Sequence, residues 1–256
     1  MYSIFAFIII LILFLIICTF CFNKIVLPPK KLIPTNMKDF LLKKLAVAKG
    51  LNEGLINGSY VEAVLISCGL LSAIASEIWP GENIDRKRFI ELLVKYDNSN
   101  LASRISLPLI INDSSVFPNR QLAINLLKNK FPDLFIESKI LTCEIDPQIE
   151  DLILILNQAS IPFDSTKIKR YSYANLVYKE LRCGFSHEYK AGVNSSNNSQ
   201  SRKKDILVSY FNTIDSDTRT IHFHFIFFYS IIYNIANIID FENTPLETPD
   251  YWWIEE

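Results

Sequence analysis

Glycine is scarce in this chain, seven in 256 residues, and none of the seven belongs to G-x-x-x-x-G-K-[ST] or G-x-G-x-x-G, so a phosphate-cradling loop is excluded. The nucleophile turn G-x-S-x-G and the zinc helix H-E-x-x-H are missing as well. Histidine is rarer still: His187, His222 and His224 are the only three. The five cysteines are odd in number, with Cys18 and Cys21 inside one apolar run and Cys68, Cys143 and Cys183 scattered, which argues against a disulfide framework. Cys18-x-x-Cys21 imitates a redox motif, but in lipid it lacks the electropositive, exposed setting of a reactive thiol. A net charge of −1 excludes a chain-wide field for polyanions.

What the chain has in excess is apolar length. Residues 4–22, IFAFIIILILFLIICTFCF, contain one polar side chain, Thr19. At about 1.5 Å per residue such a helix spans roughly the 30 Å hydrocarbon core of a bilayer. A core helix of a soluble domain is rarely apolar on every face for that length. A signal peptide needs a basic start and a small-residue cleavage site, and neither MYS nor CTFCFNK supplies one. Residues 1–23 therefore read as an uncleaved transmembrane anchor, in the lipid bilayer through residues 4–22. Lys24, Lys30, Lys31, Lys38, Lys43 and Lys44 follow the span and no lysine or arginine precedes it, which assigns the body of the protein to the cytoplasm.

Residues 24–36 carry three prolines and read as an extended linker. From 37 to 256 the pattern is mainly helical. Residues 59–78 place Val61, Val64, Leu65, Cys68, Leu71, Ala75 and Ile78 on one stripe. Trp79-Pro80-Gly81 ends that helix, and Asp85 is placed to cap the next, with Arg86 and Arg88 on its solvated face. FPNRQLAINLLKNKFP is a helix between prolines. Asp146-Pro147 reads as a cap followed by proline at the first helical position. SYANLVYKELRCGF is helical with Ala174, Val177, Leu181 and Phe185 inward. Residues 191–204 form a polar loop. The period then changes to two: DILVSYF and TIHFHFI flank the turn-rich NTIDSDTR and predict a β-hairpin. A last helix over FIFFYSIIYNIANIIDF follows, and the two tryptophans of TPDYWWIEE are expected to return to the body. The fold class is thus mainly all-α, a helical bundle with a small β-hairpin insertion, preceded by one transmembrane helix.

Charge gathers in one place. Between Lys167 and Lys204 nine lysines and arginines face two carboxylates, Glu180 and Glu188. Inside that band lies ELRCGFSHEYK, with Arg182, His187 and Tyr189. A guanidinium holds phosphate oxygens bidentately, and an imidazole takes and returns a proton near neutral pH. Together they suit metal-free RNA cleavage, the His activating a ribose 2′-hydroxyl and the Arg stabilising the developing charge. On an ideal helix residues five apart diverge by about 140°, so one straight helix does not aim both at one spot. A distortion at Gly184 would bring them together, or a two-fold axis would let two copies share a site. The plainer alternative pairs Arg182 with Glu180 or Glu188 and leaves His187 at a helix C-terminus, where a cation is favoured.

Arg182-x4-His187-x-Tyr189 resembles the signature of the HEPN superfamily, helical domains that include metal-independent endoribonucleases. YVEAVLISCGLL, RFIELLVKY and ISLPLII resemble the surrounding segments, and the resemblance covers about residues 55–190. Cys183, after the motif arginine, departs from the polar residue often found there. The resemblance implies catalytic roles for Arg182 and His187, a homodimer, and an RNA substrate of toxin or defence type. It implies a modification site at Tyr189 for a nucleotidyltransferase-type antitoxin, and it equally allows a non-catalytic module for dimerisation and RNA or nucleotide binding. Arg170, Lys179 and Lys190 are the phosphate-binding cations of the band. No cofactor is implied. His222 and His224 share a strand face, and with His187 would make an open zinc site. No carboxylate or cysteine accompanies them at ligand spacing, and no metal is expected. The alternative has one of the pair supporting His187 from behind.

The lysine asymmetry makes a direct prediction. Protease added to intact cells should leave residues 24–256 uncut, and digestion from outside would reverse the orientation.

Overall fold

A serine and a glutamate open the longest helix of the described chain. The Ser59 hydroxyl accepts the Val61 N–H at 3.2 Å and the Glu62 carboxylate accepts the Ser59 N–H at 2.8 Å, a reciprocal capping box. The structure, a computed structural model, describes residues 37–97, 99–111, 113–136, 140–195, 206–213, 216–239 and 248–255. The expected anchor and linker lie outside the described residues, as does most of the 191–204 loop.

Helix α1 (Met37–Asn52) precedes α2 (Tyr60–Ile78), which ends at Trp79 as Pro80 requires, and α3 (Asp85–Tyr96) follows. A short α4 (Leu107–Ile110) leads to α5 (Arg120–Lys130), which Asn119 caps by accepting the Leu122 N–H, and then to a 3₁₀ turn at Pro132–Phe135. Strand β1 (Leu141–Thr142) comes next, then α6 (Ile149–Gln158) and α7 (Ser165–Lys169), the latter capped by Asp164. Helix α8 (Tyr173–Leu176) runs through a π-helical stretch, Val177–Cys183, into α9 (Gly184–Glu188). Strands β2 (Val208–Thr213) and β3 (Ser216–Phe223) and helix α10 (Phe225–Ile238) complete the described elements.

The mainly helical expectation holds, with a small sheet. That sheet is larger than the predicted hairpin. β1 pairs antiparallel with β2, Leu141 opposite Tyr210, and β2 with β3, Val208 opposite Phe223. β1 is two residues long, too short to show a period of two in sequence. The strands also run into NTIDSDTR, to Thr213 and from Ser216, because ladder bonds outweigh the turn preference of these side chains.

Helix α2 packs on α3, α10 and the π-helical stretch. It is the one described helix long and apolar enough to cross a membrane by length and composition, and 44% of its apolar window is buried inside the fold. Its buried face is broader than the predicted stripe. Ala63, Leu70 and Ile74 join Val64, Cys68, Leu71 and Ala75, while Val61, Leu65 and Ile78 are half-exposed, because partners press on it from several sides. Phe89, Leu92 and Leu93 of α3 and Phe227, Phe228, Ile231 and Ile235 of α10 fill the same core. Each such side chain contributes about 1.5–3 kcal/mol when fully buried. The tail returns as expected: Trp252 meets Trp79 edge-on at 5.7 Å, the Trp253 N–H donates to Glu91 at 2.7 Å, and Lys169 donates to the Trp253 carbonyl at 2.8 Å.

Two caps differ from expectation. Ile84 holds the N-cap position of α3, and Asp85, inside the helix, pairs with Arg88. Arg88 is half-buried and donates to the Trp79 and Gly81 carbonyls, and Arg86 is half-buried as well, so this is no solvated face. Asp146 does not cap α6, whose N-cap is Gln148. It is buried at 2% exposure, and its carboxyl accepts bonds from the Tyr173 and Tyr210 hydroxyls and from the Leu107 N–H at 2.8 Å. The Tyr210 oxygen also lies 2.9 Å from Ser106 Oγ. A phenol has one proton, so with that proton on Asp146 the serine supplies the other.

Burial pushes the Asp146 carboxyl up to about 7, although the two tyrosines and the Leu107 amide pull it down. A carboxyl raised in the folded state stabilises the fold fully below the unfolded value, near 4, and loses that contribution as pH climbs through the folded value. Wild-type stability should therefore fall from about pH 4 to about pH 7 by up to roughly 4 kcal/mol relative to Asp146→Asn, which mimics the neutral acid. Parallel urea unfolding curves of the two proteins across that range check it, and a constant difference would refute it.

Candidate functional site

The stretch Tyr173–Glu188 is one continuous helical path with a π-helical middle. Ser172 caps its start, accepting the Asn175 N–H at 3.3 Å. Ala174, Val177, Leu181 and Phe185 are all buried, as the predicted apolar line requires. The π-helical middle was not legible in the sequence. π turns put one extra residue into a turn and recur at functional sites.

Two groups hold the chain after the helix against it. Glu180 is 2% exposed, and its carboxylate accepts the Asn194 N–H at 3.2 Å and the Asn194 side-chain amide at 2.9 Å, with Lys179 Nζ at 3.8 Å. Its backbone carbonyl accepts the Gly192 N–H at 2.8 Å. Ser195 and Asn194 then bond to Ile221 of β3. Gly184 is the second. It is helical, φ −58° and ψ −52°, so the helix does not end there, and the π-helical stretch closes one residue before it. Its missing side chain instead admits the returning backbone: a Cβ there would lie 2.5 Å from the Lys190 carbonyl oxygen.

Arg182 is half-buried, its guanidinium 5.2 Å from the centre of the Tyr178 ring. Among the described residues no carboxylate pairs with it. Glu180 is turned to Asn194 and Lys179, and Glu188 pairs with Lys190 at 3.2 Å, so the expected alternative pairing of Arg182 does not form. Its charge reaches inward to Cys68, whose thiol burial pushes up to about 12 while Arg182 pulls it down. Burial likewise raises the Tyr178 phenol, against the pull of Arg182 and Arg86. Arg86 donates to the Asn175 side-chain oxygen at 3.0 and 3.2 Å, which places a second guanidinium beside the same helix. Sequence reading missed Tyr178 and Arg86. The i, i+4 spacing of Tyr178 and Arg182 was the available signal for the first; Arg86 is brought in only by packing.

His187 is exposed on α9, and no described residue forms a hydrogen bond or ion pair with it. Tyr189 closes the helix in the left-handed region, φ 55° and ψ 28°, uncommon for a tyrosine. It is 55% exposed and its hydroxyl donates to Glu62 at the start of α2. The Ser59 hydroxyl first, then Tyr189, holds the Glu62 carboxyl down to about 2. Lys179 and Lys190 are exposed but sit beside Glu180 and Glu188. Arg170 is exposed at the end of α7, and its carbonyl accepts from Asn175 at 2.6 Å.

The strand histidines sit elsewhere. β3 ends at Phe223, and His224 is the N-cap residue of α10, so the two do not share a strand. Both are buried, their rings edge-on at 4.6 Å. His222 packs on Tyr60 at 5.1 Å and His224 shares a hydrogen bond with Ser209 at 2.8 Å. Neither is bonded to His187. Among the described residues no group of three or more His, Cys, Asp or Glu is placed to hold a metal ion.

No family model, no curated protein and no solved structure matches this chain.

The close approach at Gly184 is testable. Gly184→Ala forces backbone against backbone and should cost about 1–3 kcal/mol of stability. Gly69→Ala, at a helical position with nothing within 4 Å, should add roughly 0.5–1 kcal/mol. Thermal unfolding of both variants checks the pair of opposite signs.

Proposed function

We propose that the chain is a membrane-anchored, HEPN-like endoribonuclease of toxin or defence type that works without metal. The observation that carries this reading is a half-buried Arg182 with no carboxylate partner among the described residues, on the same helical path as an exposed, unbonded His187. A guanidinium held against an aromatic ring and left without a counter-ion is suited to a phosphate. An exposed imidazole is suited to take the 2′-hydroxyl proton. Arg170 and Arg86 also lie along the path, and Lys179 and Lys190 each neighbour a glutamate.

This reading takes a homodimer in which the 181–189 segments face across a two-fold axis, each copy supplying a group to the shared site. Tyr189 is exposed enough for a nucleotidyltransferase partner to modify, and transfer to its oxygen would replace the hydrogen bond to Glu62.

The test uses the full chain in detergent with single-stranded RNA. Cleavage should leave 2′,3′-cyclic phosphate ends, continue in EDTA and fail on DNA. Arg182→Ala should slow it about 10²–10³-fold, the loss of one charge-stabilising donor. His187→Ala should lose a proton-transfer factor of about 10²–10⁴. RNA binding without cleavage would instead leave a non-catalytic module, and cutting that survives His187→Ala would remove this chemistry.

A further inference from the structure

Charge is divided unevenly along the chain. The first fifty residues hold seven lysines against one carboxylate, Asp39, whereas the rest of the chain holds nineteen cations against twenty-six carboxylates. Four of the seven, Lys38, Lys43, Lys44 and Lys49, lie on α1, and all four are exposed. Leu41, Leu45 and Ala48 bury one side of that helix. At about 100° per residue, Asp39, Lys43 and Val47 lie on the side away from them, with Lys38 and Lys49 on one flank and Lys44 on the other.

This outer face carries apolar side chains as well. Val47 is exposed, and so are Leu55 and Ile56 in the turn after the helix. That turn folds back on α1: the Leu55 and Ile56 N–H groups donate to the Gly50 carbonyl at 2.9 and 3.3 Å. The Ile56 side chain covers Gly50, where a Cβ would lie 2.9 Å from its Cγ1. Gly50 falls on the same side of the helix as Lys43, so Ile56 extends the outer face. Lys49 carries the surface onto α10, its ammonium 5.6 Å from the centre of the Tyr229 ring. Tyr229 in turn stacks on the exposed Tyr233, ring centres 6.1 Å apart. Tyrosines and lysines beside exposed aliphatic groups are what a membrane–water interface selects, because phenols sit at headgroup level and lysine stems lie along apolar surface. In α1 and the turn after it the carboxylates are Asp39 and Glu53, the latter 3.9 Å from Lys49, so lysine stays in excess.

The occupant follows from charge and from chain length. Thirteen residues, 24–36, separate the apolar run from α1, and fully extended they reach at most about 45 Å. The cytoplasmic leaflet is anionic and attracts lysines close to a membrane span. We infer that the outer face of α1, with Ile56 and the Tyr229–Tyr233 pair, lies on the anionic phospholipid headgroups of that leaflet. The lysines hold the headgroups while Val47, Ile56 and the phenols enter the interface. The inference rests on the anchor of the proposed function and is independent of Arg182, His187 and RNA cleavage. Its consequence is orientation: one anchor on a linker leaves a domain free to turn, and a second contact fixes the side that faces the cytoplasm.

The test uses the full chain in vesicles of phosphatidylcholine alone or with about 30% phosphatidylserine. A membrane-impermeant reagent acetylates exposed lysines, and mass spectrometry reads each one. Lys38, Lys43 and Lys49 should react about threefold or more slowly in the anionic vesicles and recover in about 0.5 M salt, while Lys128 and Lys130 of α5 stay unchanged. Lys43→Gln combined with Lys44→Gln should remove the protection of Lys38 and Lys49. Val47→Trp gives a second reading that does not depend on lysine chemistry. Its fluorescence, above that of wild type, should be quenched by brominated acyl chains in the anionic vesicles and not in the neutral ones. Equal reactivity of the α1 lysines in both vesicles would overturn the inference, as would equal slowing at Lys128 and Lys130 or an unquenched Val47→Trp protein. Flotation with neutral vesicles after an alkaline wash tests the anchor separately. A chain that floats yet shows no difference between vesicles keeps the anchor and loses the α1 contact; a chain that washes off loses both.

Discussion

The buried carboxyl of Asp146 joins parts of the chain that otherwise have little reason to meet. Tyr173 reaches it from the start of the motif helix, Tyr210 from the middle strand, and the Leu107 amide from the start of α4. Arg104 holds the backbone on either side, donating to the Cys143 and Asp146 carbonyls at 2.7 and 3.0 Å. Leaving any of these groups unpaired in the core would cost about 1–3 kcal/mol, so the network specifies one arrangement of sheet and helix. The position of Tyr173 in turn sets where the helical path to Arg182 and His187 begins.

That path carries two duties on one segment. Its inner face is ordinary core, Val177, Leu181 and Phe185 against α2 and its neighbours. Its outer face exposes His187 and half-exposes Arg182. Between them stands Glu180, charged and buried, tied by Asn194 and Lys179. A buried carboxylate without those partners would be strongly destabilising. The returning segment 190–195 is therefore held to the helix by charge at Glu180, by contact at Gly184, and by the Ser195 and Asn194 bonds to β3. The consequence for function is positional: the residues after the motif run back along the helix toward the sheet.

Several arginines of this protein are semi-interior residues. Arg86, Arg88, Arg104 and Arg182 are half-buried and anchored to a side-chain amide, to backbone carbonyls or to an aromatic ring. The count of basic residues along the sequence, greatest between Lys167 and Lys204, is therefore a poor map of which cations pack into the fold.

The repeating patterns of the sequence determined a good deal by themselves. Apolar periodicity located α2 and the motif helix, and its change to two located β2 and β3, because burial on one face imposes a period that the residues must carry; flanking prolines bounded α5 and a long apolar run marked α10. Pro80 ended α2, and the tail tryptophans found the body, since large apolar rings have nowhere better to go. The R-x4-H-x-Y spacing singled out Arg182, His187 and Tyr189 before any fold was known. What it could not reveal were features made by contacts between distant segments. Asp146-Pro147 carries a good local capping signal, yet the carboxyl is taken by Tyr173 and Tyr210, and a helix cap loses to three buried donors. Gly184 looks like a helix breaker, and only the returning backbone shows that its role is clearance. Tyr178 under Arg182, Arg86 beside Asn175 and His224 at the start of α10 were all decided by tertiary structure, because each depends on which surfaces meet and not on what either surface is made of.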